Sequence, residues 1–200
     1  MALTSSQRRL LNEVEEIFGL VGMDVWKIEE HDPDKRIMDL NIIKDKLIRG
    51  EVVGQYTRID EFLTSVICNY YFRRRDIDDS YRRLWKTKHF RIFVHYIMDE
   101  TYLPKKLNIV NAIKAVPKDV RSAIMRINDV RNDLAHSFFP QNRRRHMGVK
   151  ARSSHLGFER VLYDGIPLYT PQGVRKFKSD VNIAYAYLSK RCWGYDDSDE

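Results

Sequence analysis

PKDVRSAIMRINDVRNDLAHSFFP, residues 117–140, carries the clearest periodicity in the chain. Val120, Ile124, Ile127, Val130 and Leu134 recur every three or four residues, which in a helix of 3.6 residues per turn aligns them in one apolar stripe. Most of the positions between are polar or charged, so the helix is expected to bury one side and hydrate the other. Pro140 stops it, because a proline lacks the N–H and its ring collides with the preceding turn. The same spacing, followed in both directions, predicts a mainly helical chain.

Upstream, Ser5 or Ser6 can cap a helix through Leu10, Leu11, Val14, Ile17 and Phe18 that ends near Gly19. EEHDPDK, residues 29–35, reads as a charged loop holding Pro33. A second helix then runs through Ile37, Leu40, Ile43 and Leu47 and is closed by Gly50. A third is expected over residues 51–72, with Tyr56, Ile59, Leu63, Val66, Ile67 and Tyr70 towards one side. Trp85, Phe90, Phe93, Val94 and Ile97 again favour helix, and Pro104 begins another with Leu107, Val110 and Ile113.

The tail changes character. Val161-Leu162-Tyr163 and Ile166-Pro167-Leu168-Tyr169 flank Asp164-Gly165, a pair suited to a two-residue hairpin turn with positive backbone angles, and Pro167 confines its strand to an edge. Thr170 then caps a helix with Pro171 at its first position, and Val174, Phe177, Val181, Ala184 and Leu188 give it a face to dock. No internal repeat or low-complexity linker interrupts the chain, so the helices are expected to share one core as a bundle.

At 43% hydrophobic and 32% charged, the 200 residues suit a folded domain, and no apolar run is long enough to cross a bilayer. No secretory apolar region develops before Glu13, Glu15 and Glu16, so a cytoplasmic location without membrane attachment is expected. Two distant cysteines, Cys68 and Cys192, suggest neither a disulfide framework nor a zinc site, and Cys68 reads as a buried thiol. The formal charge is +7, and without Asp196, Asp197, Asp199 and Glu200 it becomes +11, from 35 basic and 24 acidic residues. Such an excess attracts polyanions, of which nucleic acid is the commonest inside cells.

Arg131-Asn132-Asp133-Leu134-Ala135-His136 stands out for chemistry because it ends the strongest helix just before Ser137-Phe138-Phe139-Pro140. In this context RNDLAH resembles the HEPN superfamily, whose small helical bundles carry an arginine, four to six intervening residues and a histidine, often with a polar residue after the arginine. Arg131, Asn132 and His136 fill those three places. The resemblance covers residues 37–140, and the hairpin and last helix look like the extension of some prokaryotic members, including mannitol-repressor-like ones. It implies an all-α, HEPN-type bundle with a small C-terminal hairpin and a final docking helix. Residues 1–35 are then an N-terminal helix and charged loop, 36–140 the HEPN-like body, and 141–200 a basic loop, hairpin and helix packed on the same domain.

The resemblance further implies metal-independent RNA cleavage, without a cofactor, at a cleft between two subunits of a homodimer. A toxin with a cognate antitoxin or regulatory protein, or a defence component, would fit. Histidine can exchange a proton near neutral pH, and the planar fork of arginine can stabilise extra charge on phosphorus. Asn132 could orient the phosphate, and Asp60, at the edge of its helix's apolar face, could hold Arg131 or pair with a surface lysine. Toxin-type members often carry a tyrosine two places after the histidine, where this chain has Phe138.

Residues five apart on a continuous helix point roughly 140° apart, so a departure from helix near His136, together with twofold pairing, is expected to assemble the site. Arg143, Arg144 and Arg145 follow it and could contact RNA phosphates. His95 and Asp99 are spaced for a shared metal but lack an evident third ligand, which favours a core-edge histidine, and Tyr70-Tyr71-Phe72 could stack bases, although aromatic residues at a helix end are more often core. The alternative function is a non-catalytic helical regulatory or protein-interaction module of the mannitol-repressor kind, because one fold serves both.

Overall fold

The computed structural model describes residues 4–20, 33–72, 85–137 and 161–193; the side chains of residues 6, 7, 10, 14, 18, 33–43, 136, 137 and 193 fall outside that description. The described chain is mainly helical. Its elements are α1 (Ser5–Leu20), α2 (Pro33–Phe72), α3 (Lys88–Phe93) leading directly into a π-helical turn (Val94–Met98), α4 (Leu103–Ile113), α5 (Lys118–Ser137), the strands β1 (Leu162–Tyr163) and β2 (Ile166–Pro167), and α6 (Pro171–Trp193).

Two expectations are corrected in α2. Residues 33–35 open the helix instead of lying in a loop, since a proline in the first turn loses no intrahelical bond. Gly50 does not close a helix, because α2 runs through it for 40 residues. An interior glycine costs only about 1 kcal/mol against alanine. Ile48 and Val52, buried on either side of Gly50, hold the helix together across it.

The chain forms two compact units, residues 1–54 with 129–179, and residues 55–128 with 180–200. In the first, Ile17, Ile48, Val52, Val130, Leu134, Val161, Tyr163, Leu168, Val174 and Phe177 are buried. Tyr163 meets Phe177 edge-on with ring centroids 5.5 Å apart. Lys44, itself buried, lies 3.7 Å from the Glu13 carboxylate of α1, and Lys178 donates to Glu51 at 3.1 Å.

The hairpin is as its sequence predicts. Leu162 pairs with Pro167 and Tyr163 with Ile166, while Asp164 at φ 51° and Gly165 at φ 79° supply the left-handed turn. Thr170 Oγ1 accepts from the Gly173 amide at 3.2 Å, the side-chain cap expected at the start of α6. Gly173 is required there, since a Cβ would stand 2.2 Å from the Pro167 carbonyl oxygen.

In the second unit the apolar faces of residues 55–72, α4, residues 118–128 and residues 180–193 contribute Ile59, Leu63, Leu107, Val110, Ile124, Ile127, Val181 and Leu188 to the core. Two charged groups are buried with it. Lys106 donates to Asp60 at 2.6 Å, and Asp180 accepts from Arg126 Nε at 2.7 Å. Asn69 Nδ2 caps the end of α6 by donating to the Cys192 carbonyl at 3.0 Å.

Candidate active site

The segment proposed for chemistry occupies the last turns of α5 in the first unit. Val130 and Leu134 are buried, and Arg131, Asn132 and Asp133 are half-buried between them. Arg131 Nη1 donates to Asn132 Oδ1 at 3.2 Å. Position 136 is one turn beyond position 132, so Asn132 is the helical neighbour that relates the arginine to the histidine.

The expected departure from helix near His136 falls at the edge of the described residues. α5 remains helical to Ser137. The reason lies in proline geometry: Pro140 removes the N–H that would reach the carbonyl four residues earlier, at His136, and therefore leaves the backbone before that carbonyl free to complete its turns. Arg131 and His136 consequently keep the separation of roughly 140° that a regular helix imposes. The side chain of His136 lies outside the described part of the structure.

Arg49 of α2 reaches the last turn of α5, with Nη1 donating to the Leu134 carbonyl at 2.7 Å. The guanidinium also complements the negative end of the helix dipole. Asp45 fixes Arg49 through two contacts from Nε at 2.7 and 2.9 Å, and accepts from the Tyr169 hydroxyl at 2.5 Å. Burial first, then the hydrogen bond and the negative charge of Asp45, push the Tyr169 phenol well above its ordinary range, so it stays a donor. The hairpin end, α2 and the end of α5 are thereby linked by one polar network beside the Arg131 segment.

Sequence reading missed this network. Asp45 and Arg49 are visible as an i, i+4 pair, but nothing local indicates the carbonyl 85 residues away. Asp60, proposed as a support for Arg131, belongs to the second unit, where Lys106 is its partner. That lysine is 3% exposed and not on the surface. Its position in the Leu103, Leu107, Val110 stripe of α4 was the available signal, since a buried ammonium requires an acid.

Arg143, Arg144 and Arg145 lie outside the described residues. His95 Nδ1 and Asp99 Oδ2 are 3.2 Å apart on an exposed surface, and among the described residues no group of three histidine, cysteine, aspartate or glutamate side chains is placed to hold a metal ion. Cys68 is buried as expected, and desolvation, opposed by the charge of Lys106, raises its thiol to about 11. Among the described residues no helix is long and apolar enough to cross a membrane. No protein-family model, curated protein or solved structure matches the chain.

Proposed function

We propose that this protein is a HEPN-type, metal-independent endoribonuclease that acts as a homodimer. The hydrogen bond from Arg131 to Asn132, one helical turn before His136, carries this reading. It prepares a cationic donor and an amide on the same stretch of α5 as the one side chain suited to proton exchange near neutral pH. Because positions 131 and 136 face apart on one helix, the twofold pairing of two α5 helices brings Arg131 of one protomer towards His136 of its partner.

In the proposed reaction the ribose 2′-oxygen attacks phosphorus and the bond to the 5′-oxygen breaks. His136 takes the 2′-hydroxyl proton or delivers one to the departing oxygen, and Arg131 stabilises the extra negative charge at phosphorus. Asn132 orients the phosphate, and the products are a 2′,3′-cyclic phosphate and a 5′-hydroxyl. A toxin or defence role, and an antitoxin or other regulatory partner, are consistent with such an activity.

The test is incubation of the purified protein with total RNA in chelator, alongside His136→Ala at matched folding. Cleavage with cyclic phosphate ends is expected from the wild type and not from the variant. Equal cleavage by both proteins removes His136 from the mechanism. Arg131→Ala is the less clean variant, since it also strips Asn132 of a donor. The competing reading, a non-catalytic regulatory module, draws on the same bond, because a half-buried arginine engaged within its own helix also serves as a structural group. Absence of cleavage by the wild type over a range of RNAs selects it.

A further inference from the structure

The second unit carries an exposed aromatic surface that the proposed cleavage does not use. Tyr70 and Tyr71, at the end of α2, are 57% and 58% exposed, and Trp85 is 42% exposed. Side-chain contacts join them. Tyr70 meets Tyr71 at 5.2 Å, Tyr71 meets Phe93 at 5.8 Å, and Phe93 meets Phe72 at 5.3 Å between ring centroids. Phe72 then packs edge-on to Phe90 at 5.0 Å, and Phe90 to Trp85 at 5.3 Å. Phe90 is buried, so the strip is anchored in the core while its two ends stand in water.

Charge accompanies the rings. Lys86, Lys88 and Arg91 are exposed between the aromatic positions, and no acidic residue occurs over residues 85–98. Asp99 and Glu100 follow, with Asp99 engaged by His95. A protein partner that buried this surface would strand three cations, and charged residues are depleted from the cores of such interfaces. An unpaired nucleic-acid strand meets both features, since its bases offer flat faces to aromatic rings and its phosphates take the cations. A duplex does not, because its bases are already stacked and paired.

We infer that the Tyr70, Tyr71 and Trp85 surface, with Lys86, Lys88 and Arg91, is a binding site for single-stranded RNA. The site binds by stacking and phosphate contact and not by reading sequence. It stands independently of the cleavage reading.

Fluorescence anisotropy of a labelled 2′-O-methyl oligouridine, which cannot be cut through a 2′-hydroxyl, measures binding by the full chain whether or not it is a nuclease. Tyr71→Ala and Trp85→Ala are each expected to weaken binding about 5- to 150-fold, the range for loss of one stacked base, and Trp85→Phe to restore most of it. The triple variant Lys86→Gln, Lys88→Gln, Arg91→Gln is expected to reduce the slope of log affinity against log salt by about 2, at about 0.7 per lost phosphate contact. Tyr71 is more than half exposed, so its truncation tests the surface even where Trp85→Ala disturbs the packing on Phe90. Wild-type affinity in Tyr71→Ala with an unchanged salt slope in the triple variant overturns the assignment. So does equal weakening for a duplex of the same length. Loss of self-association with unchanged oligonucleotide binding also overturns it, and assigns the strip to contact between copies of the chain.

Discussion

Replacing Asp45 with alanine removes the acceptor that joins α2 to the end of the hairpin. Asp45 and Arg49 side chains are only 18% and 14% exposed, so solvent screens their interaction less than at an open surface. The substitution removes the hydrogen bond from the buried Tyr169 hydroxyl, a cost of about 1–2 kcal/mol, and a charge-assisted contact to Arg49 worth about 1–2 kcal/mol after allowance for remaining exposure. Arg49 keeps its bond to the Leu134 carbonyl and is not stranded. The expected loss is therefore about 2–4 kcal/mol by urea unfolding, read at unchanged denaturant slope. Tyr169→Phe removes only the hydroxyl and should cost about 1 kcal/mol. A double-mutant cycle of Asp45→Ala with Arg49→Ala should return a coupling above 0.5 kcal/mol, the lower edge for residues in one network. An Asp45→Ala loss of no more than a few tenths would show that Asp45 and Arg49 form only an exposed i, i+4 pair, and would refute the role given to the network in holding the end of α5.

Three further outcomes are expected. Gly173→Ala should destabilise by about 1–3 kcal/mol or more, because its Cβ meets backbone that cannot step aside, whereas Gly50→Ala, with nothing within 4 Å, should stabilise by about 0.5–1 kcal/mol; thermal melts of the two variants give the opposite signs. Cys68 keeps its proton in the folded state up to about 11 but loses it in the unfolded chain near 9.0, so stability is unaffected below that range and falls as pH rises through it. The part due to Cys68 is about 2 kcal/mol after discount, and Cys68→Ala should remove that part in chemical unfolding run at several alkaline pH values, leaving the fall that the raised Tyr169 phenol adds at higher pH. Neutralising Arg143, Arg144 and Arg145 should weaken RNA binding and flatten its salt dependence, and an unchanged slope in a filter-binding titration would make the run solvated surface.

Much of the helical architecture was legible because its signals are local. The Val120 to Leu134 stripe, the Asp164-Gly165 turn and the Thr170-Pro171 start each place a few neighbouring residues under a steric or hydrogen-bonding constraint that acts wherever the segment lies. The RNDLAH segment was legible in the same sense, as a polar group ending an apolar stripe. Its geometry was not, since Pro140 marks where helix must stop and does not say how far before it the turns remain intact.

What tertiary structure alone decided are the matters in which a weak local preference meets a distant partner. Gly50 disfavours helix by too little to end it once Ile48 and Val52 are buried on either side. Asp60 has no fixed role in its own segment, and only the approach of α4 pairs it with Lys106 across 46 residues. Arg49 likewise reaches the Leu134 carbonyl across 85 residues, and Asp45 the Tyr169 hydroxyl across 124. Local spacing specifies which face of a helix avoids water, because that depends on period alone; which polar group then meets a buried charge, hydroxyl or carbonyl depends on what the packed chain brings within about 3 Å.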